Sequence, residues 1–128
     1  MIIKKISFVF CLMGLLSCQS TPLFAPAKDP LEAGRYFVES CLKGEFKEAQ
    51  FYILKDSLNQ LHLDSISESY HQLDKEGRQQ LRQASIQINN VTTLDSNNAV
   101  LQYQNSFEKI ARSVKIVRNA QGWQVNLK

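Results

Sequence analysis

The chain has 128 residues, of which 44% are hydrophobic and 21% charged, and its formal net charge is +3. This length is enough for one domain. Lys4 and Lys5 lie in a segment that we expect to be removed, and subtracting them leaves the mature side chains at about +1. This balance excludes both the clustered basic surface of a nucleic-acid-binding protein and an acidic disordered tail. We therefore expect no nucleic-acid partner.

The first segment has the pattern of a secretory signal. Lys4 and Lys5 form a positive region, and the apolar run from Ile6 to Leu16 follows it. This run is too short to span a bilayer, which takes about 20 apolar residues. The pattern therefore predicts export rather than a membrane span.

The end of this segment carries a second signal. Leu15-Leu16-Ser17-Cys18 resembles the lipobox of bacterial lipoproteins. The resemblance implies that the Cys18 thiol receives a diacylglycerol and that Cys18 becomes the first mature residue. We accordingly divide the chain into a signal peptide at 1–17, a lipidated cysteine with an extended tether at 18–28, and one domain at 29–128.

The location follows from the same resemblance. No acidic run follows Cys18, which favours a lipid-anchored protein on the periplasmic side of the cell membrane or the outer membrane. Two alternatives stay open. Ala25-Pro26-Ala27 has the A-x-A form that ordinary signal peptidase cleaves, and the apolar run could be an uncleaved anchor.

The cysteines have separate roles. Cys11 leaves with the signal and Cys18 is the lipidation site, so Cys41 is alone and no internal disulfide can form. Cys41 falls on the apolar stripe of a predicted helix. A buried hydrophobe is therefore favoured over a reactive thiol.

The first half of the domain has helical patterns. Asp29 and Pro30 form a helix start, and Lys43-Gly44 an end. A second helix is predicted over Glu45 to Leu54. From Asp56 to Gln83 we predict two or three short helices, one starting at the capping box Ser65-x-x-Glu68 and another capped by Asp74.

The second half switches to the period of strands. Apolar residues alternate with polar ones in four segments, at Ile86 and Ile88, at Ala99, Leu101 and Tyr103, at Val114 and Ile116, and at Trp123, Val125 and Leu127. Val91 is out of step with Ile88, which predicts a bulge or the strand's end. The fold class is α+β, with N-terminal helices packed on one face of a curved four-stranded antiparallel sheet.

The order of these elements resembles the nuclear-transport-factor-2-like cone fold. More narrowly, the chain resembles small bacterial lipoproteins whose single domain of that fold has no assigned function. The segments that carry the resemblance are the lipobox, Lys43-Gly44-Glu45-Phe46-Lys47-Glu48-Ala49, Asn97-Asn98-Ala99-Val100-Leu101-Gln102-Tyr103 and Gly122-Trp123-Gln124-Val125-Asn126-Leu127. This family supplies no catalytic or binding residues to transfer.

In enzymes of this broad fold the active site lies between the sheet and the helices. We expect Tyr103, Trp123, Phe37 and Leu101 to line any pocket there. Tyr103 and Trp123 are favoured as core aromatics, with a ligand platform at Trp123 as the alternative. The helices carry the titratable residues Tyr52, Asp56, His62, Asp64 and His71.

His62 and His71 raise the question of a metal site. At about 100° per residue they fall on opposite sides of a continuous helix, and no further Cys or His has a zinc-ligand spacing. Solvated histidines are favoured. We expect no metal and no cofactor.

Two function classes result. The favoured one is a membrane-anchored envelope lipoprotein whose non-catalytic domain binds an envelope protein, a glycan or a small apolar ligand. The alternative is a small isomerase- or hydrolase-type enzyme with its active site in the cone. The polar outer face of the sheet predicts a monomer, because a permanent interface would have to pair its many amides.

Overall fold

The structure is a computed structural model, and it describes residues 24–128. The expected signal peptide, the Cys18 lipidation site and residues 19–23 of the tether lie outside the described residues. Among residues 24–128 no helix has the length and apolar character needed to cross a membrane.

Helices come first along the chain and strands follow. The helices are α1 (Pro30–Lys43), α2 (Phe46–Phe51), α3 (Ser57–Gln72) and α4 (Lys75–Gln83). The strands are β1 (Ile86–Asp95), β2 (Asn98–Asn105), β3 (Arg112–Asn119) and β4 (Gly122–Asn126). Each strand pairs antiparallel with the next in an open sheet of order β1-β2-β3-β4. This confirms the α+β class and the four-stranded antiparallel sheet.

Helix α1 begins and ends as predicted. The Asp29 side chain accepts a hydrogen bond from the backbone N–H of Glu32 at 2.7 Å, and Pro30 is the first helical residue. The helix ends at Gly44, whose φ of 73° is left-handed. A Cβ at Gly44 would also lie 2.7 Å from Cε1 of Tyr70, so glycine lets α3 pack against this turn.

The core lies between α1 and the sheet. Helix α1 contacts all four strands and buries Ala33, Phe37, Val38 and Leu42. The sheet contributes Leu101, Ile116 and Val125, which are completely buried. Burying apolar side chains on both layers is the main favourable term that joins them.

Two helix predictions are wrong in extent. Helix α2 ends at Phe51 rather than Leu54, because Tyr52 and Leu54 exchange backbone hydrogen bonds with Val125 of β4. Helix α3 runs without a break from Ser57 to Gln72, although a new helix was predicted at Ser65. The capping box is only a local preference, and α3 keeps a continuous buried side. That side carries Asn59, Leu63 and Tyr70.

The sheet faces depart from strict alternation at two places. Ile88 was predicted to point inward but is 37% exposed. It lies on the edge strand, and the register shifts between Ile88 and Asn90, which confirms the predicted bulge. Gln124 was predicted to be solvated but is 5% exposed. Its side chain accepts from Asn119 at 2.7 Å and donates to the carbonyl of Phe51 at 3.4 Å.

The last residues of the predicted tether pack against the domain. We call residues 24–28 the arm. Ala27 is buried, the Phe24 ring lies 5.7 Å from that of Phe51, and the hydroxyl of Tyr52 donates to the carbonyl of Ala25 at 2.9 Å. The folded part therefore begins before Asp29.

The outer edge of β4 is covered by three different segments. The outward N–H of Trp123 donates to the Ala27 carbonyl at 3.4 Å, and that of Val125 donates to the Tyr52 carbonyl at 2.7 Å. The N–H of Leu127, the residue after β4, donates to Oδ1 of Asn59 at 2.6 Å. The arm, the end of α2 and the start of α3 therefore meet along this one edge. We call it the β4 edge.

Asn59 is the buried polar member of this set. It is completely buried, and its amide nitrogen also donates to Asp56 at 3.0 and 3.1 Å and to Asn126 at 3.3 Å. Asp56 in turn forms an ion pair with Lys128 at 3.1 Å. Residue 128 is thereby joined to the start of α3.

We expect Asn59→Ala to lower the free energy of unfolding by about 1–3 kcal/mol, because it leaves the N–H of the half-buried Leu127 without its partner. Urea denaturation followed by circular dichroism measures this change. Asn89→Ala is the matched control, since Asn89 is exposed on β1, and it should alter the free energy by less than about 0.5 kcal/mol. Equal effects of the two substitutions would show that the Asn59 contacts contribute nothing.

Candidate functional site

A concave surface lies beside the β4 edge. This cleft has a volume of about 300 Å³ and is formed by the arm, by the chain between α2 and α3, and by β4 with its preceding turn. We call it the arm cleft. Its lining residues are Pro26, Ala27, Phe51, Tyr52, Lys55, Gln121, Trp123 and Gln124.

Aromatic contacts fix the walls of the arm cleft. The Phe51 ring packs edge-on against Tyr52 at a centroid distance of 5.0 Å. Tyr52 also lies 5.2 Å from Tyr36 on α1. At Gly122, where φ is 104°, a Cβ would lie 3.0 Å from the Ala27 carbonyl oxygen. Glycine at this turn therefore allows the arm to approach β4.

Cations lie over the aromatic rings at this site. Lys55 Nζ is 5.7 Å from the centre of the Phe51 ring, and the Arg118 guanidinium is 6.0 Å from that of Trp123. Both distances fall within the range of cation–π attraction. Lys55 is the one charged residue among the lining residues of the arm cleft, so the cleft is apolar with a positive margin.

The Tyr52 hydroxyl, which lines the cleft, is poorly suited to proton transfer near neutral pH. Burial, aided by the nearby Glu48 carboxylate, raises the pKa of Tyr52 to about 12, and its hydroxyl already donates to the Ala25 carbonyl. Glu48 does not line the cleft; burial and the Glu45 carboxyl group raise its pKa. A general acid or base works best with a pKa near the operating pH. The pKa of Tyr52 lies far above neutral pH.

The four predicted pocket-lining residues separate into two groups. Trp123 lines the arm cleft and is half-buried, packed against the edge of the core. Phe37 and Leu101 are core residues with little or no exposure. Tyr103 is half-buried against the same core, and burial raises its pKa. Phe37, Leu101 and Tyr103 do not line the arm cleft.

Helix α1 and the sheet are in direct contact at Gly34. Gly34 of α1 packs directly onto Leu101, and a Cβ there would overlap Cδ2 of Leu101 and lie 3.1 Å from Cδ1 of Ile116. Every buried side-chain nitrogen or oxygen atom in residues 24–128 also has a hydrogen-bond partner. Around Gly34 the two layers therefore pack without a gap for an added methyl group.

The titratable residues of the helices are not gathered in one cleft. His62, Asp64 and His71 are exposed along α3. Asp56 caps α3 through the N–H of Asn59, and the pKa of Asp56 is lowered by that bond and the others it accepts from Asn59, with a smaller effect of Lys128. Tyr52 alone of the five lines the arm cleft.

Metal and thiol chemistry find no further support in the described part of the chain. Within residues 24–128 no three His, Cys, Asp or Glu side chains come close enough together to hold a metal ion. Cys41 is half-buried against the core, and burial raises the pKa of its thiol to about 12. The thiolate, which is the reactive form, is therefore scarce at neutral pH.

Sequence reasoning missed the arm and most of the arm cleft. Phe24, Phe51 and Lys55 received no role. Phe24 and Lys55 lie outside the predicted helices and strands, and Phe51 lies in the predicted second helix but off its apolar stripe. One signal was present. Phe24 is an aromatic residue in a segment that was otherwise predicted to be a solvated tether, and such a residue gains free energy by packing.

Comparison of the chain with protein-family models, with curated proteins and with solved structures finds no match. The inference of its function therefore rests on the residues of this chain.

We expect Gly34→Ala to lower the free energy of unfolding by about 1 kcal/mol. Overpacking the core costs about 1–3 kcal/mol, and removing a glycine from a helix returns about 1 kcal/mol. The control is Gly77→Ala in α4, where a Cβ would meet only the exposed Asp74 side chain and that of Leu73. Gly77→Ala should leave the stability unchanged or raise it in thermal and urea unfolding. A similar gain for Gly34→Ala would indicate open space beneath α1.

Proposed function

We propose that this chain is a membrane-anchored envelope lipoprotein whose domain binds a partner and performs no catalysis. The observation that carries the anchoring is Leu15-Leu16-Ser17-Cys18 after a short apolar run. Acylation at Cys18 with two or more chains would hold the protein stably, whereas one chain gives only marginal binding. The proposed location is the periplasmic side of the cell membrane or the outer membrane.

The absence of catalysis is supported by the interior of the domain. Gly34 packs directly onto Leu101 between α1 and the sheet, the layer in which enzymes of the cone fold hold a substrate. Tyr52 and Asp56 are engaged in hydrogen bonds, and His62 and His71 stand exposed on α3. A catalytic site needs several groups with suitable pKa values within reach of one substrate. The arm cleft, apolar and bordered by Lys55, is better suited to binding.

We also propose that the domain has the nuclear-transport-factor-2-like fold of the small lipoproteins it resembles. Two features support this assignment. Helices α1 and α2 precede a four-stranded antiparallel sheet, and α1 crosses all four strands. The domain is proposed to be monomeric, because Gln102, Ser113 and Lys115 leave the outer face of the sheet polar and exposed.

Cys18→Ala should abolish acylation and release the protein from membranes, or leave the precursor uncut. Labelling with a radioactive fatty acid and flotation of membranes on a density gradient measure the two effects. Cys41→Ala is the matched control, because it removes a cysteine that the structure places against the core, and it should keep both label and flotation. A Cys18→Ala protein that is still labelled and still floats would refute the lipoprotein proposal.

A further inference from the structure

We infer that the arm-cleft end of the domain lies against the lipid headgroups, with Trp123, Lys55 and Arg118 in contact with an anionic membrane surface. The inference rests on the proposed acylation of Cys18 and goes beyond it. Acylation attaches the chain to the membrane but does not orient the domain. The position of the arm and the residues around it give the attached domain an orientation.

The length of chain between anchor and domain limits the orientation. Phe24 is six residues beyond Cys18, so even a fully extended chain separates them by only about 20 Å. Phe24 packs on Phe51, and Ala27 is buried beside Gly122. Because the arm is held at the β4 edge, the short connection keeps that end of the domain near the bilayer.

The residues at this end have the chemistry of a membrane interface. Trp123 is half-buried with its ring accessible from the arm cleft, and Phe51 lines the same cleft. Trp and other amphipathic aromatics partition to headgroup depth. Lys55 and Arg118 lie over these two rings at the protein surface. Basic residues at the surface of a bilayer are attracted by anionic lipids.

The opposite end of the sheet supplies an internal comparison. Trp123 pairs with Arg118, whereas the β2–β3 hairpin that contains Phe107 adjoins Arg112 at the other end of β3. These two arginines are separated by six residues of strand, about 20 Å. Phe107 is exposed. The inferred orientation therefore puts Phe107 on the side that points away from the lipid.

The test uses the fluorescence of the acylated full-length protein in vesicles of phosphatidylethanolamine and phosphatidylglycerol that contain a headgroup spin-labelled lipid. Trp123 is the single tryptophan of the chain. We expect about a twofold loss of its emission, because an indole at headgroup depth lies close to the label. The control protein carries Trp123→Phe and Phe107→Trp, and its emission should be almost unchanged.

Charge reversal tests whether Lys55 and Arg118 attract the domain to the anionic membrane surface. Lys55→Glu with Arg118→Glu should restore most of the Trp123 emission in anionic vesicles, whereas Lys109→Glu in the β2–β3 hairpin should not. Circular dichroism verifies that each variant is folded. A floating protein whose Trp123 is unquenched, or quenched no more than the Phe107→Trp probe, overturns the orientation and leaves acylation intact. A wild-type protein that does not float with the vesicles overturns both proposals.

Discussion

The outer edge of β4 is the constraint on which the remainder of the domain depends. An edge strand normally exposes a row of unpaired N–H and C=O groups that can pair with another chain. Here the N–H groups of Trp123, Val125 and Leu127 are taken by the arm, the end of α2 and the amide of Asn59. The pairing both protects the edge and attaches the helical half of the chain to the sheet.

The same edge explains the location of the candidate site. Once Tyr52 is drawn into pairing with β4, helix α2 must stop at Phe51. The turn that follows brings Lys55 over the Phe51 ring and starts α3 at its Asp56 cap. The arm closes the remaining side. The arm cleft is thus a consequence of how β4 is covered, and the apolar interior behind α1 stays filled.

Much of the fold could be predicted because its signals are local. The Asp29 cap, the Gly44 end and the period-2 strands depend on side chains near in sequence, and the structure confirms them. The errors arose where distant segments meet. Gln124 is buried because the Phe51 carbonyl and the Asn119 amide reach it. Strand periodicity alone does not predict these contacts between distant segments.

The candidate site was harder to predict for the same reason. Phe37 and Leu101 were expected to line any pocket between α1 and the sheet, and Gly34 packs directly onto Leu101. Whether a helix that faces a sheet leaves an opening depends on which small residues face which large ones, and the sequence pattern does not give that pairing. Trp123 was singled out by its strand pattern, and it lines the arm cleft. Its neighbours in the cleft, Phe51 and Lys55, come from a region without strand periodicity.

Amide hydrogen exchange of the protein, resolved by residue with nuclear magnetic resonance, tests the role of the β4 edge most directly. The N–H groups of Val125 and Leu127 should exchange only on global unfolding, although β4 is at the edge of the sheet. The amides of β1 that point away from β2 should exchange much faster. If Val125 and Leu127 exchange as quickly as those β1 amides, the β4 edge is open in solution. The helices would then be held by core packing alone.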